Sequence, residues 1–242
     1  MQALTSLVSL VYNYPMTRYQ WFLAALFAAV WLWAAWEPLH RNALLLENLL
    51  VFLFVPVLLI AGRYFKLSDA SYTFVTLFLI MHVIGSHWTY GEVPFGFTLG
   101  EWLGSDGRNM YDRLLHFSFG FLMAYPLREM FVRVTAARGF WTYYIPLDII
   151  LSFSALYEII EWGALMTVDS TAGTLFLAHQ GDIFDPAKDI SNALVGGIIA
   201  MLIVLGLNWA LNREDFRGEM KESFRIKGER RTGRVPIKEL VR

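Results

Sequence analysis

The 242-residue chain contains no cysteine. Disulfides, thiolate catalysis and Cys-ligated zinc or iron–sulfur centres are therefore excluded, and metal or acid–base chemistry is left to His, Asp and Glu. Charge is scarce too: Asp, Glu, Lys and Arg make up 17% of the residues, 20 basic against 21 acidic, for a formal net charge of −1. That balance gives no signal for nucleic acid as a partner. Segment Met1–Thr17 lacks both an early basic region and a long apolar run, so a cleaved signal peptide is not expected. No repeat and no low-complexity linker divides the chain.

Apolar residues are present in excess. At 56% hydrophobic and 16% aromatic, with a mean hydropathy of +0.45, the composition is too apolar for an ordinary soluble domain. A spanning helix needs about 20 largely apolar residues. Six stretches qualify: Tyr19–Trp36, Leu44–Ala61, Ser71–Tyr90, Asp112–Arg133, Tyr143–Met166 and Asp189–Trp209. The expected fold is all-α, a polytopic membrane helical bundle of about six transmembrane helices over residues 19–211. Residues 1–18 form an N-terminal interfacial or loose segment, in which Leu4, Leu7, Val8 and Val11 have helical spacing. Residues 212–242 form a charged tail with ten basic and six acidic residues, which rests on anionic lipid or is simply solvated and disordered.

Basic residues accumulate on the cytoplasmic side of a membrane. With both termini cytoplasmic, that side holds 16 of the 20 Lys and Arg residues, and only Arg41, Arg108, Arg113 and Lys188 face out. In this topology the polar residues within the spans crowd into the outer half: Glu47, His82, His87, Asp112, His116, Glu158, Glu161, Asp185 and Asp189. The cytoplasmic half holds Asp148 near a helix start, where the helix dipole favours an acid.

Spacing sharpens the pattern. Ser154, Glu158 and Glu161 share a helix face, as do Asp112 and His116, and Asp185 and Asp189. Carboxylates in hydrocarbon are expensive, so they face a bundle interior and mark a functional site. Two neighbouring carboxylates there cannot both stay charged cheaply; one takes a proton, pairs with His116, Arg113 or Lys188, or binds a cation. Gly120, Ser191, Gly196, Gly197 and Ala200 offer small faces for close helix packing.

Plainer readings exist for several of these positions. Asp185 before Pro186 reads as an N-cap, Asp182 as a turn former after Gln180-Gly181, and Asp112 as a helix cap or a partner of Arg113. His82 and His87 stand about 140° apart on a regular helix, so both reach one site only if the helix opens near Gly85. Glu47 reads as a snorkelling side chain and Lys188 as a counter-ion for Asp185 or Asp189. Mid-helix Glu158 and Glu161 have no capping role.

Four blocks, His82–Pro94, Arg108–Phe117, Tyr157–Trp162 and Gln180–Asp189, together resemble the bacterial inner-membrane proteins of the YjdF type. Trp88 and Phe184 stand where that family suggests Tyr and Trp, and each keeps an aromatic ring. The resemblance implies a multi-pass inner-membrane protein with no established activity. Asp112–Phe117 and the helix from Asp185 to Asn192 also look like the VanZ-like membrane proteins, which implies a cell-envelope role.

Three functions are open. The first is an enzyme acting on a lipid, lipid-linked or small-molecule substrate, with Glu158, Glu161, His116 and Asp182 as catalytic residues. Arg108, Arg113, His82, His87 and Lys188 would bind substrate. Asp112, His116, Glu158, Glu161, Asp185 and Asp189 would hold a divalent Mg²⁺, Mn²⁺ or Zn²⁺, which suits oxygen ligands with one imidazole. No His-Glu-x-x-His or Gly-x-Ser-x-Gly motif accompanies them. The second is a proton- or cation-coupled transporter, against which stand the absence of an inverted repeat and of paired broken helices. The third is a non-catalytic envelope protein whose polar network fixes helix packing. Nothing in the sequence sets the oligomeric state.

Overall fold

The computed structural model describes residues 15–105, 107–167, 180–211 and 216–224. The N-terminal segment before residue 15 and most of the tail lie outside the described residues, so the readings of Leu4, Leu7, Val8 and Val11 do too. Among the described residues the regular structure is helical throughout.

Each of the six apolar stretches is helix. In chain order these are α1 (Arg18–Ala35), the pair α2 (Arg41–Glu47) and α3 (Leu49–Tyr64), α4 (Asp69–Trp88), α6 (Tyr111–Thr135), α7 (Trp141–Thr167) and α8 (Asp185–Ala210). Four segments are long and apolar enough to cross a membrane: Arg41–Gly62, Asp69–Trp88, Trp141–Thr167 and Asp185–Ala210. The other two long helices carry more polarity. α1 begins with Arg18, Tyr19 and Gln20, and α6 carries Asp112, Arg113, His116, Arg128, Glu129 and Arg133.

The second stretch departs from a single helix. Asn48 interrupts it, and its side chain donates to Leu44 O (2.9 Å) and Ser86 Oγ (3.1 Å) while its Oδ1 accepts from Trp31 Nε1 (2.8 Å). One side chain thus ties α1 and α4 to the break.

α6 is the hub. It packs on α4, α7 and α8, and α1 packs on the far side of α4. The α6–α8 contact is backbone to backbone: a Cβ on Gly120 would overlap the Ala193 carbonyl, and one on Gly196 would overlap the Phe117 carbonyl. Gly197 and Ala200 share this buried face, whereas Ser191 points outward and bonds to Ala187 O at 2.7 Å. Such small-residue contacts let spanning helices approach closely where no hydrophobic effect drives them together.

The outer surface is apolar and the inner faces carry the polar groups. On α7, Ser154, Glu158 and Glu161 are buried while Leu156, Ile159 and Trp162 are exposed; on α8, Asp185 and Asp189 are buried while Ile199, Leu202 and Ile203 are exposed. This inversion suits a bundle solvated by lipid tails.

The ends of the helices show what the sequence reading missed. Between α4 and α6 lie a 3₁₀ turn (Tyr90–Glu92) and the short helix α5 (Pro94–Trp102). Near the opposite end of α6, Glu129 accepts from Ser68 N (2.9 Å) and Ser68 Oγ (2.7 Å), from Ser71 Oγ, and from Arg133. Asp148 is therefore not the only acid at that end. The described part of the tail is also not simply solvated: helix α9 (Phe216–Ser223) docks on the α6–α7 turn. There Ser223 Oγ accepts from Phe140 N at 3.0 Å and Ser223 O from Trp141 Nε1 at 2.9 Å.

Candidate functional site

At one end of the bundle the first turns of α6 and α8 meet the C-terminal half of α7. Two helix N-termini converge there, each with partial positive charge from unsatisfied N–H groups, which favours acids. Asp112 and His116 enter from α6, Asp185 and Asp189 from α8, and Ser154, Glu158 and Glu161 from α7; all seven are buried.

The loop before α6 is shaped by glycine. A Cβ on Gly100 would overlap Arg108 O, and one on Gly96 would overlap the Asn109 side chain, so α5 lies directly on residues 108–109. Asn109 is fully enclosed. Its Nδ2 donates to Val93 O (2.8 Å), its Oδ1 accepts from Tyr111 N (3.0 Å), and its backbone exchanges two 2.8 Å bonds with the Gln180 amide. Asn109 and Gln180 thereby join the loops before α6 and α8; their residue types alone carry no sign of this.

That junction sets up a rim of ion pairs. Gln180 and Gly181 take left-handed conformations (φ +49° and +81°), and Asp182 Oδ1 then accepts from Phe184 N at 3.0 Å. Asp182 Oδ2 receives Lys188 Nζ at 2.6 Å and Arg113 Nη2 at 2.7 Å, with Arg108 Nη1 at 3.6 Å. These partners, Lys188 first, hold the Asp182 carboxyl well below the usual carboxylate range. Asp185 Oδ1 accepts from Arg108 Nη2 and, at 3.1 Å, from Arg113 Nη2.

Several plainer expectations change here. Phe184 is the N-cap of α8, so Asp185 is not a cap. Lys188 pairs with Asp182 rather than Asp185 or Asp189. Asp112 neither caps α6 nor pairs with Arg113. Asp182, expected as a catalytic residue, sits among three cations that keep it ionised, and Arg108 and Arg113, expected to hold substrate, are engaged by aspartates.

Beneath the rim the balance reverses. His116 Nε2 lies 3.3 Å from Glu158 Oε1 and 3.8 Å from Asp112 Oδ1, and its Nδ1 is 3.3 Å from Ser154 Oγ. Glu158 and Glu161 are within hydrogen-bonding reach of each other. Yet Asp112 Oδ1, Glu158 Oε1, Glu161 Oε1 and Asp189 Oδ1 are buried without a hydrogen-bond partner. Buried unsatisfied acceptors are rare and costly, so each calls for an explanation such as a proton, an ion or a water.

One carboxylate set has metal-ligand geometry. Single oxygens of Asp112, Asp185 and Asp189 all lie within 4.8 Å of one another. Three carboxylates fit a hard divalent ion such as Mg²⁺ or Mn²⁺, and the unpartnered buried oxygens of Asp112 and Asp189 are of the kind such an ion would take as ligands. His116, Glu158 and Glu161, expected as ligands, are not part of this trio and flank it.

The remaining candidates lie elsewhere. α4 runs unbroken through Gly85, where a Cβ would meet the rings of Tyr90 and Tyr111. His82 Nε2 contacts Glu47 O (3.0 Å) and its Nδ1 contacts Tyr90 Oη (2.9 Å). His87 turns to α1, with Nδ1 3.0 Å from Ala34 O and its ring stacked on Trp33. Neither has a described contact with the carboxylate trio. Glu47 does not snorkel: it is 0% exposed, and although the Tyr90 amide is nearby, neither carboxylate oxygen has a well-formed hydrogen bond.

Comparison with known proteins agrees with the membrane character of the fold. The chain is 36% identical over 161 residues to the inner membrane protein YjdF of Escherichia coli (strain K12), covering 66% of this chain and 76% of that protein. No solved structure is significantly similar to it. Residues 19–209, which run from the first turn of α1 to the last turn of α8 and include the whole carboxylate cluster, match the model of a family described as predicted membrane protein (DUF2238), and the chain belongs to that family.

Proposed function

We propose that this is a six-span inner-membrane protein with both termini cytoplasmic, whose carboxylate cluster opens to the outside and serves as a divalent-metal-dependent enzyme site. Its substrate is a lipid or lipid-linked molecule of the cell envelope. The observation that carries the reading is the trio Asp112, Asp185 and Asp189, with ligand atoms within 4.8 Å and buried oxygens of Asp112 and Asp189 left without partners.

Asp112, Asp185 and Asp189 would hold Mg²⁺, Mn²⁺ or Zn²⁺, and such an ion supplies Lewis-acid polarisation of a phosphoryl or carbonyl oxygen. His116 and Glu158, 3.3 Å apart beside the trio, are placed to move a proton between Nε2 and Oε1. Ser154 fixes the imidazole from its other nitrogen, and Glu161 sits behind Glu158 as a second proton acceptor. The exposed Ile159, Ile160 and Trp162 of α7 and Ile183 and Phe184 just before α8 let an acyl or prenyl chain stay in the bilayer while its head reaches the cluster. The family likeness and the inner-membrane relative support the location.

Metal analysis of the detergent-purified full chain tests this. Close to one divalent ion per chain, lost in Asp112→Asn and Asp189→Asn, is the expected result. A wild-type protein with no retained or added metal bound would overturn it. A reporter fused to the C-terminus and active only outside the cytoplasm would reverse the orientation.

A further inference from the structure

Asp185 belongs to two groups at once. It is one corner of the carboxylate trio, and its Oδ1 is also the shared acceptor for Arg108 Nη2 and Arg113 Nη2. The rim is rich in positive charge, with Arg108, Arg113 and Lys188 set against Asp182 and Asp185. The layer below is the opposite: Asp112, Asp189, Glu158 and Glu161 each offer an oxygen with no partner, and the His116 imidazole reaches only Asp112 and Glu158. Asp112 and Asp189 are 5% and 2% exposed, so these oxygens cannot turn to water.

We propose that Arg108 and Arg113 form a phosphate-binding pair gated by the cation: a divalent ion at Asp112, Asp185 and Asp189 takes over the charge of Asp185 and releases the two guanidinium groups to a phosphate-bearing ligand. The inference rests on the metal site described above and names the ligand class of that site.

Three features carry it. A divalent ion on Asp185 competes directly with the guanidinium groups now bonded to the same carboxylate, since like charges within a few ångströms repel strongly in a partly dry site. Asp182 does not lose its neutralising partner when the arginines move, because Lys188 Nζ stays at 2.6 Å from its Oδ2. The arginines can also reach an incoming anion, for their side chains keep 18% and 16% of their surface exposed, whereas the trio is closed off. Two adjacent guanidinium forks match the oxygen geometry of a phosphate and can hold it bidentately.

Gating of this kind is a coupling between two sites, so it is reciprocal: phosphate must tighten the cation as much as the cation tightens phosphate. The test is a Mn²⁺ titration of the full-length protein in detergent, read by loss of the free-ion paramagnetic resonance signal. It is run with chloride alone, with inorganic phosphate, and with a short-chain phosphatidic acid, each corrected for Mn²⁺ bound by the anion in protein-free detergent. The expected result is a Mn²⁺ affinity raised about tenfold by one of the phosphate probes, within the usual range of such couplings. Response to inorganic phosphate identifies a free phosphate group as sufficient; response to phosphatidic acid alone identifies a lipid headgroup.

In Arg108→Gln/Arg113→Gln the coupling disappears while Mn²⁺ alone binds more tightly than in the wild type, because two competing cations have gone. Wild-type protein that binds Mn²⁺ equally in all three conditions overturns the gate but leaves the metal site standing. Wild-type protein that binds no Mn²⁺ overturns both. Coupling that survives in the double variant also overturns the gate, and should that variant fail to fold, the wild-type titration alone decides.

Discussion

His116 Nε2 lies 3.3 Å from Glu158 Oε1, yet that oxygen accepts no hydrogen bond. Across the α6–α7 interface the two groups are held in reach without forming a hydrogen bond. Neither belongs to the aspartate trio. Glu158→Gln should therefore keep Mn²⁺ binding, weakened by about tenfold as for a group that supports metal ligands from behind. Asp189→Asn should lose it. Equal loss in both, measured by titration of the purified variants, would move Glu158 into the ligand set.

The α6–α8 crossing makes a sharper claim about stability. A Cβ at Gly120 or Gly196 would overlap main-chain carbonyls of the facing helix, which cannot rotate away as a side chain would. Gly120→Ala and Gly196→Ala should each destabilise the protein by about 1–3 kcal/mol or more, the usual range for overpacking. Gly206 lies on the same helix with nothing within 4 Å of its virtual Cβ. Gly206→Ala should be neutral or slightly stabilising, since alanine favours helix. Thermal unfolding midpoints in one detergent separate the two classes.

Glu129 offers a control at the far end of α6. It gathers Ser68 N, Ser68 Oγ, Ser71 Oγ and Arg133 and so holds the first turn of α4. Glu129→Ala should lower stability by about 1–3 kcal/mol, as for buried donors left unpaired. Mn²⁺ binding by the protein that remains folded should be unchanged. A parallel loss of Mn²⁺ would mean that the two ends of α6 are not independent.

The contrast between these residues shows what a sequence can reveal. Helical spacing alone placed Ser154, Glu158 and Glu161 on one buried face of α7, and the small residues Gly196, Gly197 and Ala200 on one face of α8, because side-chain direction repeats within a single helix. Pairing across loops follows no such period. Arg108 meets Asp185 over 77 positions and Asn109 meets Gln180 over 71, brought together by the resting of α5 on residues 108–109. Glu47 follows the same rule: its place near a helix end predicts that it reaches water, but Tyr90 and His82 close over it. Four of the six stretches are long and apolar enough to cross a membrane. α6 is not among them, because the hub helix carries the polar residues on which the bundle converges.

Glu47 leads to a prediction with a definite sign. A carboxylate that is 0% exposed with both oxygens lacking good hydrogen bonds is a desolvated group with little in return. In metal-free protein Glu47→Gln should leave the unfolding midpoint unchanged or raise it, because the amide removes a buried ionisable group at nearly constant volume. A clear fall in the midpoint would show that Glu47 has a cationic partner the carboxylate requires.

The rim itself responds to pH in one direction. Lys188, then the Phe184 amide and Arg113, hold the Asp182 carboxyl below the usual carboxylate range in the folded protein. A group depressed in this way contributes stability that is complete above its unfolded value, about 3.9 for Asp. That contribution is lost only as pH falls through the lower folded value. Acidification from pH 7 to pH 5 should therefore leave the turn intact. The Phe184 amide, which donates to Asp182 Oδ1 at 3.0 Å, reports on it directly. Its hydrogen exchange, corrected for the intrinsic rate, should show the same protection at both pH values, and Asp182→Asn should lower that protection at both. A loss of protection centred near pH 6 in the wild type would mean that a group other than Asp182 governs the rim.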